Sequence, residues 1–385
     1  MRVAFYDPAN WRYTIDTPYE QPLGGSQSAI CYLADELAKL GLSITVFNGV
    51  EQPAESRGIQ IRNLSEANAR GRLNEFDAVI VVNSACGREL RQNAELRVPL
   101  ILWNQHNYDR PAVHGLRFPE ERESWAALAF VSEWQRRNFE MFYRVAPERS
   151  RVMRNAASPV FLDRPAVPPW FAAGRPPVLY YASTPYRGLD VLLSAFPRIR
   201  EAVPGTELKI FSSMNVYLIS SEMDQYKDLY DIARRTAGVE YIGSVSQKRL
   251  AGETAGMAAL AYPSTFAETF CITAIEAMAA GAAVFTTSLG ALPETTGGHA
   301  ATIEPNPDKA RLAGEFAEMT ANELRFMLKN PQKAAKRRLQ RMKFVRSHFT
   351  WRKRAKEWLV LLEGVLKAAR PVSGAFPRPA TRPRP

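Results

Sequence analysis

The chain has 385 residues and a formal net charge of +11, too long for one ordinary core and suited to two domains of roughly 150–200 residues. No apolar run approaches the ~18–20 residues of a membrane span. The three cysteines, Cys31, Cys86 and Cys271, form neither a metal spacing nor a disulfide framework. The chain enters a strand at once (MRVAFYD) without an h-region or cleavage site, so cytoplasmic residence is the expectation. From Lys329 to Pro385 there are 17 basic residues against two acids, Glu357 and Glu363, a net of +15. The other 328 residues carry 33 basic and 37 acidic side chains, so the basicity belongs to the C-terminal segment.

Residues 3–7 (VAFYD) read as a first strand, followed by a Pro- and Gly-containing loop from Tyr19 to Ser26. GGSQSAICYLADELAKLG then predicts a helix capped by Ser26, with Ile30, Leu33, Ala34 and Leu37 on one face and Gly41 at its end. LSITVFN is the next strand, completing a βαβ unit. The Gly24-Gly25 pair ahead of the helix suits either a tight turn or close backbone approach to a phosphate. Further strands are expected at 77–84, 99–105, 128–132 and 151–156, with the Ser132-capped helix SEWQRRNFEMFY before the last. Apolar strands alternating with helices argue for a parallel sheet covered on both faces. His106 follows the strand ending at Gln105 and so sits at a carboxyl edge, where it is either a surface group or a site residue; His114 is a weaker second.

Residues 163–177 hold five prolines and read as an interdomain linker. A second α/β series follows: a strand at 178–183, a helix at 189–202, then LKIFSS, VEYIG, ALAYPS, AVFTT and HAATI. In the loop STPYRG, Arg187 follows a strand and precedes a helix, so it either lies on a solvated loop or aims a cation at a departing phosphate. Asp224, Asp228 and Asp231 share a helical spacing with Lys227 among them and read as a solvated face.

The most informative stretch is Pro263–Glu294, PSTFAETFCITAIEAMAAGAAVFTTSLGALPE. Its pattern is strand, loop with Glu268, helix from Phe270 to Gly281 capped by Thr269, then strand. Glu268 and Glu276 are eight positions apart, up to ~12 Å at ~1.5 Å per residue. Between them lie the free N–H groups of a helix N-terminus, an anion site. Such a layout fits sugar, pyrophosphate and ribose; the alternative is a capping carboxylate and a solvated helix Glu.

ETFCITAIEAMAAG resembles the E-x7-E element of the retaining GT-B glycosyltransferases of family 4, E-x-F-G-(x)4-E-A-M-A-x-G, with P-S upstream and G-x-x-P-E downstream at Gly290–Glu294. The resemblance implies that Glu268 contacts the donor sugar and Glu276 holds the ribose. Thr269, Phe270, Cys271 and Ile272 then bind the donor phosphates, Gly24 and Gly25 close from the other domain, and His106 lies near the sugar. Cys271 stands where the family has Gly. The family's G-R-x-x-x-K-G loop corresponds to the Arg187-Gly188 region, with Thr184 read in place of the first Arg; either Lys248 or Arg249 supplies the missing cation or the chain belongs to a subgroup with different phosphate handling. Ser132-Glu133 and the Asn155 region are further landmarks.

The resemblance also implies two Rossmann-like α/β domains with parallel sheets facing across a cleft. Residues 1–165 form the acceptor side, 166–177 the linker and 178–347 the donor side, with a closing helix at 348–370 and a disordered tail at 371–385. The sequence has no D-x-D pair, so metal-independent chemistry without a cofactor is expected. The implied activity is transfer of a sugar from a nucleotide-sugar to an acceptor hydroxyl on a glycan or lipid-linked carrier, in cell-surface polysaccharide or glycoconjugate assembly. The alternatives are a non-catalytic nucleotide-sugar or glycan-binding protein and another GT-B enzyme such as an epimerase. The 12 basic residues between Lys329 and Lys356 suit an anionic membrane surface at the inner face, a solvated helix face or nonspecific nucleic-acid affinity; no specific nucleic acid is expected.

Overall fold

The structure is a computed structural model that describes residues 1–369 apart from Ala166; the expected tail at 371–385 lies outside the described residues. Eight strands make the first sheet: β1 (Arg2–Tyr6), β2 (Ser43–Asn48), β3 (Ala54–Ser56), β4 (Ile59–Asn63), β5 (Ala78–Val82), β6 (Leu100–Asn104), β7 (Ala127–Phe130) and β8 (Ser150–Val152). Their order is β3-β4-β2-β1-β5-β6-β7-β8. All neighbours run parallel except β3 and β4. Strands such as β5 (AVIVV) are buried along their whole length, as a sheet covered on both faces requires.

The β3–β4 hairpin escaped the sequence reading because AES and IQIRN carry no continuous apolar run. Arg57 and Gly58, at φ 54° and 74°, form its two-residue turn, the left-handed pair that matches the twist of an antiparallel hairpin.

Six strands make the second sheet: β9 (Val178–Tyr181), β10 (Glu207–Ile210), β11 (Val239–Tyr241), β12 (Ala259–Tyr262), β13 (Ala283–Thr287) and β14 (Ala301–Ile303). The order β11-β10-β9-β12-β13-β14 is parallel throughout. The chain therefore winds one way from β9 and the other way from β12. Ligands of open α/β sheets bind where the winding reverses, beyond the carboxyl ends of the strands. In this sheet the loops at that point begin after Tyr181 and Tyr262.

Several local expectations are corrected. The first long helix is Gly25–Lys39 with Gly24 as its cap; the Ser26 hydroxyl accepts instead from the Asn83 amide at 3.0 Å. The strand expected at 151–156 ends at Val152, which leaves Arg154 and Asn155 in the loop that faces the second half. The helix after Tyr226 starts at Lys227, so Asp224 is not on its face. That carboxylate is buried and accepts from Met214 N, Tyr226 N and the Tyr230 hydroxyl. Of the basic run, Arg338, Arg341 and Arg354 are buried; Arg338 donates to the Val167 carbonyl and Arg354 to the His348 carbonyl.

Helix Trp351–Ala369 crosses back to the first half and packs on helix Gly25–Lys39. Its fully buried Trp358 meets the Trp103 ring of β6 edge-on at 5.2 Å, and Trp351 lies against Tyr32. Trp358→Ala removes a large ring from a dry core and is expected to cost ~3–5 kcal/mol of stability. Urea denaturation followed by circular dichroism measures it; a loss below ~1 kcal/mol would show that the helix is not a structural strap.

Candidate functional site

The loops after β9 and β12 meet at the point of reversal. Gly188 has φ 113°, and a Cβ there would lie 2.2 Å from the Pro263 carbonyl oxygen, so only glycine lets the two loops touch. Thr265 N donates to the Arg187 carbonyl across the same junction at 3.4 Å. Gly290, at φ 67°, does the same on the far side: a Cβ would lie 2.5 Å from the Glu268 carbonyl oxygen. Glu268 is thus clamped between two glycine-dependent turns.

Its carboxylate is almost fully buried and accepts from Arg187 Nη1 at 2.8 Å and from the Tyr262 hydroxyl. Arg187 also lies near the Tyr217 hydroxyl, at 3.3 Å, and over the Phe266 ring at 4.5 Å. Its Nε is buried without a partner. Tyr262, Tyr217 and Phe266 were not singled out from sequence; the one available signal was that Tyr262 closes a strand at its carboxyl end.

The helix after Glu268 runs Ile272–Ala280, one turn shorter than expected. Its cap is Cys271, which adopts a left-handed conformation at φ 67° and ψ 77°. A side chain there costs roughly 1–2 kcal/mol relative to glycine. Thr269 is not the cap: its hydroxyl donates at 2.8 Å to the Gln105 carbonyl of the first half. The Phe270 ring packs on Phe349 in the core, so only the backbone of that residue is available to a ligand.

Glu276 lies in the middle of the helix, fully buried, and accepts from Ser158 N at 3.1 Å. The Ser158 hydroxyl donates to Tyr32. Burial pushes the Glu276 carboxyl up to about 8. Glu268 and Arg187 are therefore brought into direct contact, while Glu276 is engaged separately with the first half.

From the first half, Gly25 abuts the start of this helix: a Cβ on it would sit 3.7 Å from Ile272 Cδ1. Gly24 is required for another reason, since a Cβ would press on the Trp11 ring at 2.9 Å. Trp11 in turn packs against Tyr217 across the cleft, with ring centroids 5.9 Å apart. His106 is pushed down to about 4 by burial, then by the fields of Arg110 and Arg187, so it is neutral at pH 7. Its Nδ1 is buried without a partner, as are Gln105 Nε2, Asn155 Oδ1 and Thr184 Oγ1. The His114 ring lies 3.3 Å from the Asp109 carbonyl within its own loop. Lys248 and Arg249 are exposed, and Arg249 pairs with Glu253 on its own helix.

One further contact spans the cleft. Glu294 accepts from Glu133 N and Trp134 N, both at 3.1 Å, and from Arg154 at 2.7 Å. A carboxylate from one half thus caps a helix of the other.

Among solved structures, the chain aligns over most of its length with several two-sheet proteins. Sucrose-phosphate synthase from Thermosynechococcus elongatus is 16% identical, with a TM-score of 0.69 over 95% of this chain and 99% of that one. A glycosyltransferase from Rickettsia africae is 14% identical, with a TM-score of 0.70 over 95% and 98%. Anabaena HepE, in complex with UDP-glucose, is 15% identical, with a TM-score of 0.67 over 94% and 100%. The fold is GT-B. Residues 175–322 also match the family model described as Glycosyl transferases group 1. That span contains Thr184, Arg187, Glu268 and Glu276. No curated protein matches by sequence.

The buried Glu276 yields a pH prediction. Its folded value of about 8 exceeds the ordinary 4.5, so the stability tied to its proton is fully present below ~4.5 and lost as pH rises to ~8. Glu276→Gln keeps the acceptor for Ser158 N and cannot ionise. The variant should gain a few kcal/mol over wild type between pH 5 and pH 8. Parallel stability profiles in urea denaturation at pH 5, 6.5 and 8 would overturn this.

Proposed function

We propose that the protein is a retaining glycosyltransferase of family 4, moving a sugar from a nucleotide-sugar to an acceptor hydroxyl in cell-surface polysaccharide or glycoconjugate assembly. The observation that carries the reading is the Arg187–Glu268 contact beside the start of helix Ile272–Ala280. It lies at the reversal point of the second sheet, inside the span that matches the group 1 model.

In the free protein the two side chains neutralise each other. A bound diphosphate would draw off Arg187 and the helix N–H groups, leaving the Glu268 carboxylate to accept from donor sugar hydroxyls. Glu276 would take the ribose hydroxyls, and neutral His106 would hydrogen-bond the sugar. As the C1–O bond to the β-phosphate breaks, the acceptor oxygen attacks on the same face and its proton passes to the departing phosphate oxygen. Negative charge then grows on that phosphate, where Arg187 is already placed. This arrangement calls on no metal, and turnover should persist in a chelator.

A thermal-shift panel of UDP, GDP, ADP, dTDP and CMP tests the reading. HepE was solved with UDP and with UDP-glucose, which makes uridine the first base to try. A nucleotide at ~100 times its dissociation constant should add ~2.7 kcal/mol to the folded state. Glu268→Ala should then lower sugar transfer by ~10²–10³-fold while nucleotide binding persists. Binding without any donor consumption by the wild type would point to a carrier protein.

The exposed part of the basic run suggests where the acceptor is met. Lys333, Lys336, Lys343 and Arg346 are exposed on helix Pro331–His348, with the apolar Leu339 exposed among them. We propose that this face rests on an anionic membrane carrying lipid-linked acceptor. Co-sedimentation with anionic vesicles, lost in high salt and absent with neutral vesicles, is the expected outcome.

A further inference from the structure

A nucleoside diphosphate brings more negative charge than the loop after β9 can meet. The loop Ser183–Gly188 holds a single cation, Arg187: with Arg187-Gly188 in the K-G place, the first cation of the glycosyltransferase pattern falls four positions earlier, on Ser183 rather than Thr184. The helix N-terminus adds about +0.5 charge at most. Lys248 and Arg249 are exposed, and Arg249 is paired with Glu253 on its own helix.

Another cation comes to the Phe266 ring from the first half. Arg110 belongs to the first half, in the loop between β6 and the short helix Pro111–Arg117, where its N–H donates to the Asn107 carbonyl at 3.3 Å. Its guanidinium crosses the cleft to lie 5.3 Å from the centre of the Phe266 ring. Phe266 belongs to the loop that carries Glu268, and Arg187 lies over the same ring at 4.5 Å. The two guanidinium groups are thus no farther apart than the sum of those two distances. Arg110 is only weakly compensated: its carboxylate partner is the exposed Asp109 at 3.7 Å. Glu268 is taken by Arg187. The charges of both arginines add to burial in pushing the His106 pKa down.

Two cations brought to one ring from the two halves, of which only Arg187 has a buried carboxylate partner, make a place that a polyanion would occupy. We propose that Arg110 is the second diphosphate-binding cation of the donor site, reaching over from the first half to the Phe266 ring that Arg187 also meets. The aromatic face holds both guanidinium groups in place before the ligand arrives. The diphosphate then touches both halves at once, so donor binding also draws the cleft together.

This inference rests on the nucleotide-sugar reading of the site, and the test separates the two. Calorimetric titration of the wild type, Arg110→Ala and Arg249→Ala would use UDP, UMP and uridine, or the guanosine set if GDP is the nucleotide that stabilises the wild type. Arg110→Ala should lower diphosphate affinity about 10–100-fold, flatten its salt dependence and leave nucleoside affinity unchanged. Arg249→Ala should stay within about twofold of wild type for all three. The Arg110 side chain is 44% exposed, so the variant should fold with an unaltered melting temperature. Unchanged diphosphate affinity, or an equal loss for diphosphate and nucleoside, overturns the role of Arg110 alone. A wild type that binds no nucleotide overturns the donor site and this inference together.

Discussion

The contact between Glu268 and Arg187 is the constraint on which the site depends. A nearly buried carboxylate and a largely buried guanidinium stay together because each is the other's main partner, with Tyr262 and Tyr217 completing the set. Removing either partner would leave a charge in poorly solvated surroundings, which is costly. Holding the pair demands that two loops approach more closely than a Cβ permits, hence Gly188 and Gly290. It also demands that β9 and β12 be neighbours, although β10 and β11 lie between them in sequence.

Several groups near this pair also join the two halves. Thr269 reaches the Gln105 carbonyl, Glu276 takes the Ser158 N–H, and Glu294 caps the helix that begins at Glu133. The landmarks at Ser132-Glu133 and Gly290–Glu294, which had no chemistry in sequence, thereby acquire one: they meet. Helix Trp351–Ala369 adds an apolar strap through Trp358. The residues proposed for the donor are also those that join the halves, so a ligand at Glu276 would have to compete with, or join, its contact with Ser158 N. The unpartnered Gln105, His106, Asn155 and Thr184 atoms gather at the same cleft.

The alternation of apolar strands with amphipathic helices was enough to place two parallel α/β sheets, because burial on both faces imposes it residue by residue. Helix 189–202 was read with its observed limits, and Ser132 was rightly read as a cap that accepts from Gln135 N. The loop positions of Glu268 and Arg187 and the helix position of Glu276 were legible too, since they follow from local pattern; their roles rested on the family resemblance alone. Local pattern failed where a distant partner intervened. Ser26 and Thr269 looked like caps, yet each hydroxyl is engaged by a group far away in sequence. Asp224 looked solvated and is buried by the segment around Met214. Three arginines of the basic run looked free and are packed against carbonyls or neighbouring helices.

The sequence by itself therefore determined the apolar strands and long helices and which of them carry charge to a carboxyl edge. Both follow from short-range periodicity and turn chemistry, while the polar β3–β4 hairpin left no such trace. Only the tertiary structure decided which charges meet. Arg187 finds Glu268 81 residues away, and Arg154 finds Glu294 140 residues away. Arg110 and Arg187 come to flank one phenyl ring from opposite halves. Such meetings depend on strand order and on how two sheets close over each other, which are properties of long-range packing that no local window contains.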